Sequence, residues 1–500
     1  MGVSGEDFPA FFPTHSCRVR AKQDPRASFS LASDCAGPLV YFNSSHFGKE
    51  EKAMHNKARF PNMLFGTSLR PDSAALAIMV LLLFLIFVFL FLTLIAQPAQ
   101  AQTYRVIYNF TGGQDGADPR AGLTIDRAGN LYGTAYGTAY LGAGAGTVYQ
   151  LKRNGSSWTF NSLYSFTGGS DGGNPLARVI LGPYGALYGT TPFGGNPSCH
   201  DPLGCGTVFK LRPSPTACKT LPCPWTETVL HTFLGSDDGS TPGFGDLLFD
   251  QTGNIYGTTS GGGAYGGGTV YELTPSGGGW TESVLYSFGG GSDGNTPWGG
   301  VILDNAGNLY GTTGAGGLSN AGTVFQLVHS MRWTENILRS FAYGSDGGDH
   351  PFAGLIIDQS GNLYGATQEG GSGSGGTVFE LSPSGGGWTF SLLYSIRGGG
   401  INCGPSGSLV MDGAGNLYGT TVCDGRYGYG SVFKLTPSRP YWTYTSLHDF
   451  CAGGPPCSDG TGPISNVVFD ANGNLYGTAE AGGSGTACQG GCGIVWEITP

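Results

Sequence analysis

The chain has 500 residues, 91 of them glycine, with 12% aromatic residues, 12% charged residues and a formal net charge of -10. Plentiful aromatics and the lack of a Gly-X-Y period exclude disorder and a collagen-like helix, so the glycine belongs in the turns of an all-β protein with many short strands. Residues 1–72 carry 9 Lys/Arg against 7 Asp/Glu and the remainder 15 against 27, and an acidic body without a basic cluster argues against nucleic acid or an anionic membrane surface as partner.

In chain order, residues 1–53 show no repeat and no clear period, and residues 1–73 are expected to be poorly structured; Met54 or Met63 would open a conventional signal n-region, which points to a start later than Met1. Residues 74–96, AALAIMVLLLFLIFVFLFLTLIA, form 23 residues without charge or proline, roughly 34 Å as a helix and enough to cross a bilayer. Lys52, Lys57, Arg59 and Arg70 precede them, which places the N-terminus in the cytoplasm and everything after Ala96 outside. Gln97-Pro98-Ala99-Gln100-Ala101 then supplies an A-x-A signal-peptidase site. Cleavage after Ala101 is the preferred expectation, and an uncleaved single-pass anchor the alternative.

Residues 104–499 repeat. Tyr132, Tyr188, Tyr256, Tyr310, Tyr364, Tyr418 and Tyr476 each sit in a (Leu/Ile)-Tyr-Gly-Thr or near-identical string, at spacings of 56, 68, 54, 54, 54 and 58. Such a period is slightly longer than those of WD40 and kelch blades. One unit, from Pro297, reads WGGVILD, NAGN, LYGTT, a glycine-rich stretch, GTVFQL and WTENILRSF, which makes four strands. The apolar first strand, Gly300 to Asp304, is expected to be innermost and buried on both faces. Trp280, Val284, Tyr286 and Phe288 share one face of a fourth strand, suited to packing on the next blade. Asp304-Asn-Ala-Gly307-Asn308 and its copies at Asp126, Asp250, Asp358, Asp412 and Asp470 read as turns capped by their own aspartate. The last unit stops after its third strand, and Tyr104 to Phe110 matches the missing fourth. The expectation is therefore a seven-bladed β-propeller of four-stranded blades, closed by strand 104–110 and complete at Pro500, preceded by one hydrophobic helix.

Ten cysteines after the hydrophobic run fall into close neighbours, Cys199/Cys205, Cys218/Cys223, Cys403/Cys423, Cys451/Cys457 and Cys488/Cys492. Local disulfides are the simplest account and agree with an extracytoplasmic compartment; the lack of any C-x-x-C counts against zinc.

The strings D-x-x-G-N-L-Y-G-T-T, G-G-G-T-V-F-x-L and D-G-x-x-P resemble the GloVer-type tandem repeats of bacterial extracellular "choice-of-anchor" proteins over about four-fifths of the chain. More loosely, A-G-L-x-x-D-x-x-G-N-L-Y is similar to NHL-type and sensor-regulator propeller repeats. The resemblance implies a propeller outside the cytoplasm and implies no reaction.

In a four-stranded meander, the loops entering the first strand and those joining the second to the third emerge on one face. That face collects the variable residues. Phe244, Trp298 and Phe352, just after the loop prolines, are candidate aromatic platforms for a glycan or peptide. The loop aspartates Asp115, Asp171, Asp238, Asp293, Asp346 and Asp459 either cap their own turns or help bind a ligand, with Asp238, Asp293 and Asp346 beside the aromatics. The sixth unit departs, with Asn402-Cys403-Gly404 in place of Asp-Gly. No cofactor and no metal centre are expected, calcium at the loop aspartates being the one cation in view. Catalysis would require off-pattern ionisable residues, here His200, Asp201, Asp349, His350, Glu369, Asp424, Arg426 and Glu480. The reading is a monomeric, non-catalytic binding or display module, secreted or at the cell surface, for an extracellular glycan, peptide or protein; a purely structural surface repeat and a propeller glycoside hydrolase or lyase are the alternatives.

Overall fold

The computed structural model describes residues 76, 78–87, 102–138, 144–199, 203–213, 225–344, 347–398, 400–438 and 441–500. They belong to two units, Met1–Ala96 and Gln97–Pro500. In the first, residues 76 and 78–87 of the apolar run are helical. Among the described residues no helix is long and apolar enough to cross a membrane. Residues 1–73, the remainder of 74–96 and the Ala99-x-Ala101 site lie outside the described residues, as do Asp346, Cys218, Cys223, His200 and Asp201.

The second unit is a seven-bladed β-propeller, each blade a four-stranded antiparallel sheet in sequence order. Blade 4, for example, runs Ile302–Leu303, Leu309–Thr313, Thr323–His329 and Trp333–Ser340. Blade 7 takes three strands from the C-terminal end, Val468–Phe469, Leu475–Ala479 and Ile494–Thr499, and its fourth from the start, Thr103–Asn109. Tyr104 pairs with Ile498 and Arg105 with Glu497, so the ring closes through strands almost 400 residues apart, as the repeat arithmetic requires.

The LYGTT and GTVFQL strands carry the core. Every LYGTT residue of blade 4 is buried. Each third strand contributes one large ring with no exposure, namely Tyr149, Phe209, Tyr271, Phe325, Phe379, Phe433 or Trp496. That ring lies under the glycine of the neighbouring LYGTT: a Cβ on Gly311 would stand 2.5 Å from Cζ of Phe325. The glycine is thus required by close approach rather than by its dihedral angles.

The first strands are shorter than the sequence pattern implies. Ladder pairing covers Ile302 and Leu303, both half-buried, where Gly300 to Asp304 reads as one strand buried on both faces. The residues before them form the narrow ring where all blades converge: a Cβ on Gly300 would come within 2.5 Å of the Asp246 carbonyl, and one on Gly299 within 2.8 Å of the Gly354 nitrogen. Backbone packed that tightly against a neighbouring blade has no room for a further ladder.

The D-x-x-G-N turns are closed by their aspartates. Asp304 Oδ1 accepts from the Ala306 and Asn308 backbone N–H groups, each at 2.8 Å, and Oδ2 from Asn308 Nδ2 at 2.8 Å and the Tyr310 hydroxyl at 3.0 Å. These bonds hold its carboxyl below the ordinary carboxylate range. One turn therefore ties the first strand, the hairpin and the repeat tyrosine together.

One side-chain pair joins the fourth strands at each blade interface. Tyr108 stacks on Phe160 at 4.6 Å, Tyr394 on Tyr444 at 4.9 Å and His448 on Tyr104 at 3.6 Å, while Arg339 lies 4.2 Å over Phe390. Between blades 1 and 4 the second partner is an acid instead, so that Tyr164 faces Glu227, His231 faces Glu282, and Tyr286 donates to Glu335 at 3.1 Å. An aromatic pair contributes about 0.5–1.5 kcal/mol beyond its buried area, so blades 5 to 7 and the closure onto blade 1 are the part of the ring stapled by ring stacking, with a cation–π contact at the blade 4–5 interface.

Four disulfides stand among the described residues: Cys199–Cys205, Cys403–Cys423, Cys451–Cys457 and Cys488–Cys492. All four bridge loop cysteines expected to pair, and they point to an oxidising environment.

Candidate functional site

The residue preceding each loop proline fixes the geometry of the variable face. Asp118, Asn174, Thr241, Thr296 and His350 all adopt positive φ, between 54° and 58°, a conformation that β-branched threonine adopts only under constraint. The constraint is an inter-blade bond: the Thr296 N–H donates to the Gly267 carbonyl at 2.8 Å and the His350 N–H to Ala321 at 2.9 Å. The chain then reverses at the proline and presents the next side chain at the mouth of the ring. Around the ring those side chains are Arg120, Leu176, Phe244, Trp298, Phe352, Ser406 and Ile464, all partly exposed.

The structure brings Phe244, Trp298 and Phe352 together. Phe244 and Trp298 stack at 4.4 Å with planes 4° apart, and Trp298 and Phe352 at 4.5 Å and 30°. Both faces of the indole are thereby covered. At the blade 3 end of the column the side chain of Phe244 is 37% exposed. Ser406, which follows in blade 6, accepts from Gln368 Nε2 at 2.6 Å. On the far side, by blade order, Arg120 bonds Asp118 at 2.9 Å, approaches Glu480 at 3.6 Å and lies over Tyr136. Burial pushes the Glu480 carboxyl up to about 7 against the pull of Arg120. The mouth is therefore apolar on one side and ionic on the other.

The loop aspartates close their own loops. Asp238 Oδ2 accepts the Leu234 N–H at 2.8 Å and Asp293 Oδ2 the Gly289 N–H at 2.9 Å; Asp293 also receives the Tyr286 hydroxyl at 3.3 Å. In the loop before blade 5 the Gly344 backbone N–H donates to Asp349 Oδ2 at 2.9 Å. Asp349 further meets His350 Nδ1 at 2.9 Å, and Glu369 lies 3.9 Å from the same nitrogen. The Asp349 hydrogen bond raises the imidazole pKa, while burial raises that of Glu369.

Where the sixth unit lacks its loop aspartate, Asp424 sits in the neighbouring loop and accepts from Thr421 and from Ser431 Oγ. Burial drives its carboxyl up to about 7. A cleft of about 220 Å³ beside it is lined by Tyr394, Arg397, Arg426, Tyr444 and Asp449.

A family model described as the Gloeobacter/Verrucomicrobia repeat matches residues 93–222, 202–403 and 332–500. The chain belongs to the Gloeobacter/Verrucomicrobia repeat family. No curated protein matches this repeat chain. Among solved structures, the repeat propeller is similar to a novel fungal alcohol oxidase of the AA5 family in complex with copper, at 13% identity over 80% of this chain and 77% of that one, with a TM-score of 0.47. It is also similar to a candidate 6-phosphogluconolactonase from Bacteroides uniformis, at 16% identity over 72% and 89%, TM-score 0.43, and to a protein of unknown function from Dyadobacter fermentans, at 12% over 80% and 98%, TM-score 0.39. These likenesses carry no inference about chemistry.

Sequence reasoning singled out Phe244, Trp298 and Phe352, which the repeat propeller brings into one stack. It missed the acids at the blade interfaces. The signal was available, since Trp-Thr-Glu at 225–227, 280–282 and 333–335 stands where other units have Trp-Thr-(Phe/Tyr). Desolvation lifts Glu227 to about 7 and Glu335 to about 8.

Proposed function

We propose that this propeller is an extracytoplasmic, non-catalytic binding module whose loop-face mouth takes a carbohydrate. The observation that carries the reading is the aromatic column Phe244–Trp298–Phe352, partly exposed at the mouth and continued by polar Ser406 and Gln368. A sugar ring has one C–H face for an aromatic surface and hydroxyls for surrounding polar groups, which is the combination this mouth offers. Because Trp298 is sandwiched, the stacking surface is Phe244, and Trp298 acts as the post that holds it upright. Export fits the four loop disulfides.

The test is a glycan and peptide array probed with the full-length chain in mild detergent, beside Phe244→Ala and Trp298→Ala. Glycan binding that falls at least about tenfold in both variants supports the reading, the loss of one aromatic contact being worth about 1–2 kcal/mol. Binding to peptides alone, or glycan binding indifferent to both substitutions, would remove it.

A further inference from the structure

We propose that Asp349, His350 and Glu369, on the loop face of blade 5, form a binding site for a divalent transition cation. Their ligating atoms lie within 4.8 Å of one another. Imidazole Nδ1 stands 2.9 Å from Asp349 Oδ1 and 3.9 Å from Glu369 Oε2. Among the described residues this is the one trio of metal-ligating side chains that converges in this way.

The backbone explains the convergence. Asp349 N–H donates to the Glu369 carbonyl at 3.0 Å, and Glu369 N–H returns to Asp349 at 3.2 Å. Residues that exchange both bonds in an antiparallel pair present their side chains on the same face. Two carboxylates so placed repel each other, and like charges directly opposite destabilise a sheet. The equivalent bridges in other blades are Gly173/Phe193, Ser240/Gly261, Asn295/Ala315 and Thr461/Ala481, all uncharged. Blade 5 alone among these bridges carries two formal negative charges, with Asp349 only 2% exposed. A protonated His350 offsets one of them; a divalent cation offsets both.

The ligands are held before any ion arrives. His350 is fixed at φ 54° between its N–H bond to Ala321 and its carbonyl bond from Gln368, and Gly344 N–H secures Asp349 Oδ2. One imidazole nitrogen with two carboxylates suits Zn²⁺ or Mn²⁺ better than Ca²⁺, which takes an all-oxygen shell. Three protein ligands leave coordination positions for exchangeable solvent or ligand oxygens. The site is independent of the carbohydrate reading.

The test is equilibrium dialysis of the EDTA-treated full-length chain against Zn²⁺, with bound metal measured directly. The wild type is expected to hold one equivalent more than His350→Ala or Glu369→Gln, whose affinity at this site falls about tenfold or more. Glu369→Gln keeps the side-chain shape, and far-UV circular dichroism checks that both variants are folded. Co²⁺ loading of the wild type gives a second readout, with visible d–d bands that Zn²⁺ displaces. Equal zinc content in folded wild type and variants, no d–d bands in the wild type, or Ca²⁺ bound here as tightly with or without His350, would each overturn the proposal.

Discussion

At Gly311 a single methyl group would overlap the ring of Phe325, and the same contact recurs at each copy of the motif. Gly311→Ala is therefore expected to cost about 1–3 kcal/mol through overpacking, read as a lower urea midpoint at unchanged slope. Glu335 makes a different residue-scale prediction. Burial and the neighbouring Asp293 raise its carboxyl to about 8, although Tyr286 donates to it. The folded chain then keeps a proton that the unfolded chain releases in the ordinary carboxylate range. Stability from this group is complete at low pH and falls as pH rises toward about 8. Glu335→Gln should flatten that decline, so urea unfolding at mildly acid and mildly alkaline pH should give closer midpoints in the variant than in the wild type. Both residues were visible in the repeat, but only the glycine as a pattern. Seven copies of Tyr-Gly announce a constraint, whereas Trp-Thr-Glu becomes meaningful only once the fourth strands are known to face each other across blades.

At the scale of elements, the closing strand was legible because a unit missing its fourth strand and a leading segment with that strand's pattern can be matched on paper. The length of the first strands was not legible. Apolar runs such as GVILD are compatible with full burial, and the convergence of all blades on a narrow ring, which confines pairing to Ile302 and Leu303, is a property of the closed circle. The closure itself is testable. Tyr104 stacks on His448 and donates to the Asp459 carbonyl at 2.6 Å, as Tyr444 stacks on Tyr394 at an internal interface. Tyr104→Ala and Tyr444→Ala should each cost on the order of 2–3 kcal/mol; a silent Tyr104→Ala in thermal or urea unfolding would mean that the N-terminal strand does not complete blade 7. The Cys403–Cys423 bridge closes a loop with a sequence separation of 20, for which the chain-entropy model gives about 3 kcal/mol. Replacing both cysteines by alanine should lower the unfolding free energy by about that amount, and adding reductant to the double variant should then change stability less than it does in the wild type.

For the whole molecule, a near-symmetric scaffold carries an asymmetric face. Interface pairs, turn aspartates and buried rings repeat around the ring, whereas the aromatic column belongs to blades 3 to 5, the Asp118–Arg120–Glu480 cluster to the junction of blades 7 and 1, and the Asp349–His350–Glu369 trio to blade 5. Symmetry accounts for the fold, and departures from it single out the candidate sites. The sequence showed which residues depart from the repeat but not which of them meet, because contact across blades depends on register and on the left-handed residues before each proline. Hydrogen–deuterium exchange on the full-length chain, with and without an oligosaccharide that it binds, tests the central claim most directly. Protection is predicted in the segments 241–245, 296–300 and 350–354. Protection confined to the turns of the opposite face, such as 304–308 and 358–362, would contradict a binding mouth on the loop face.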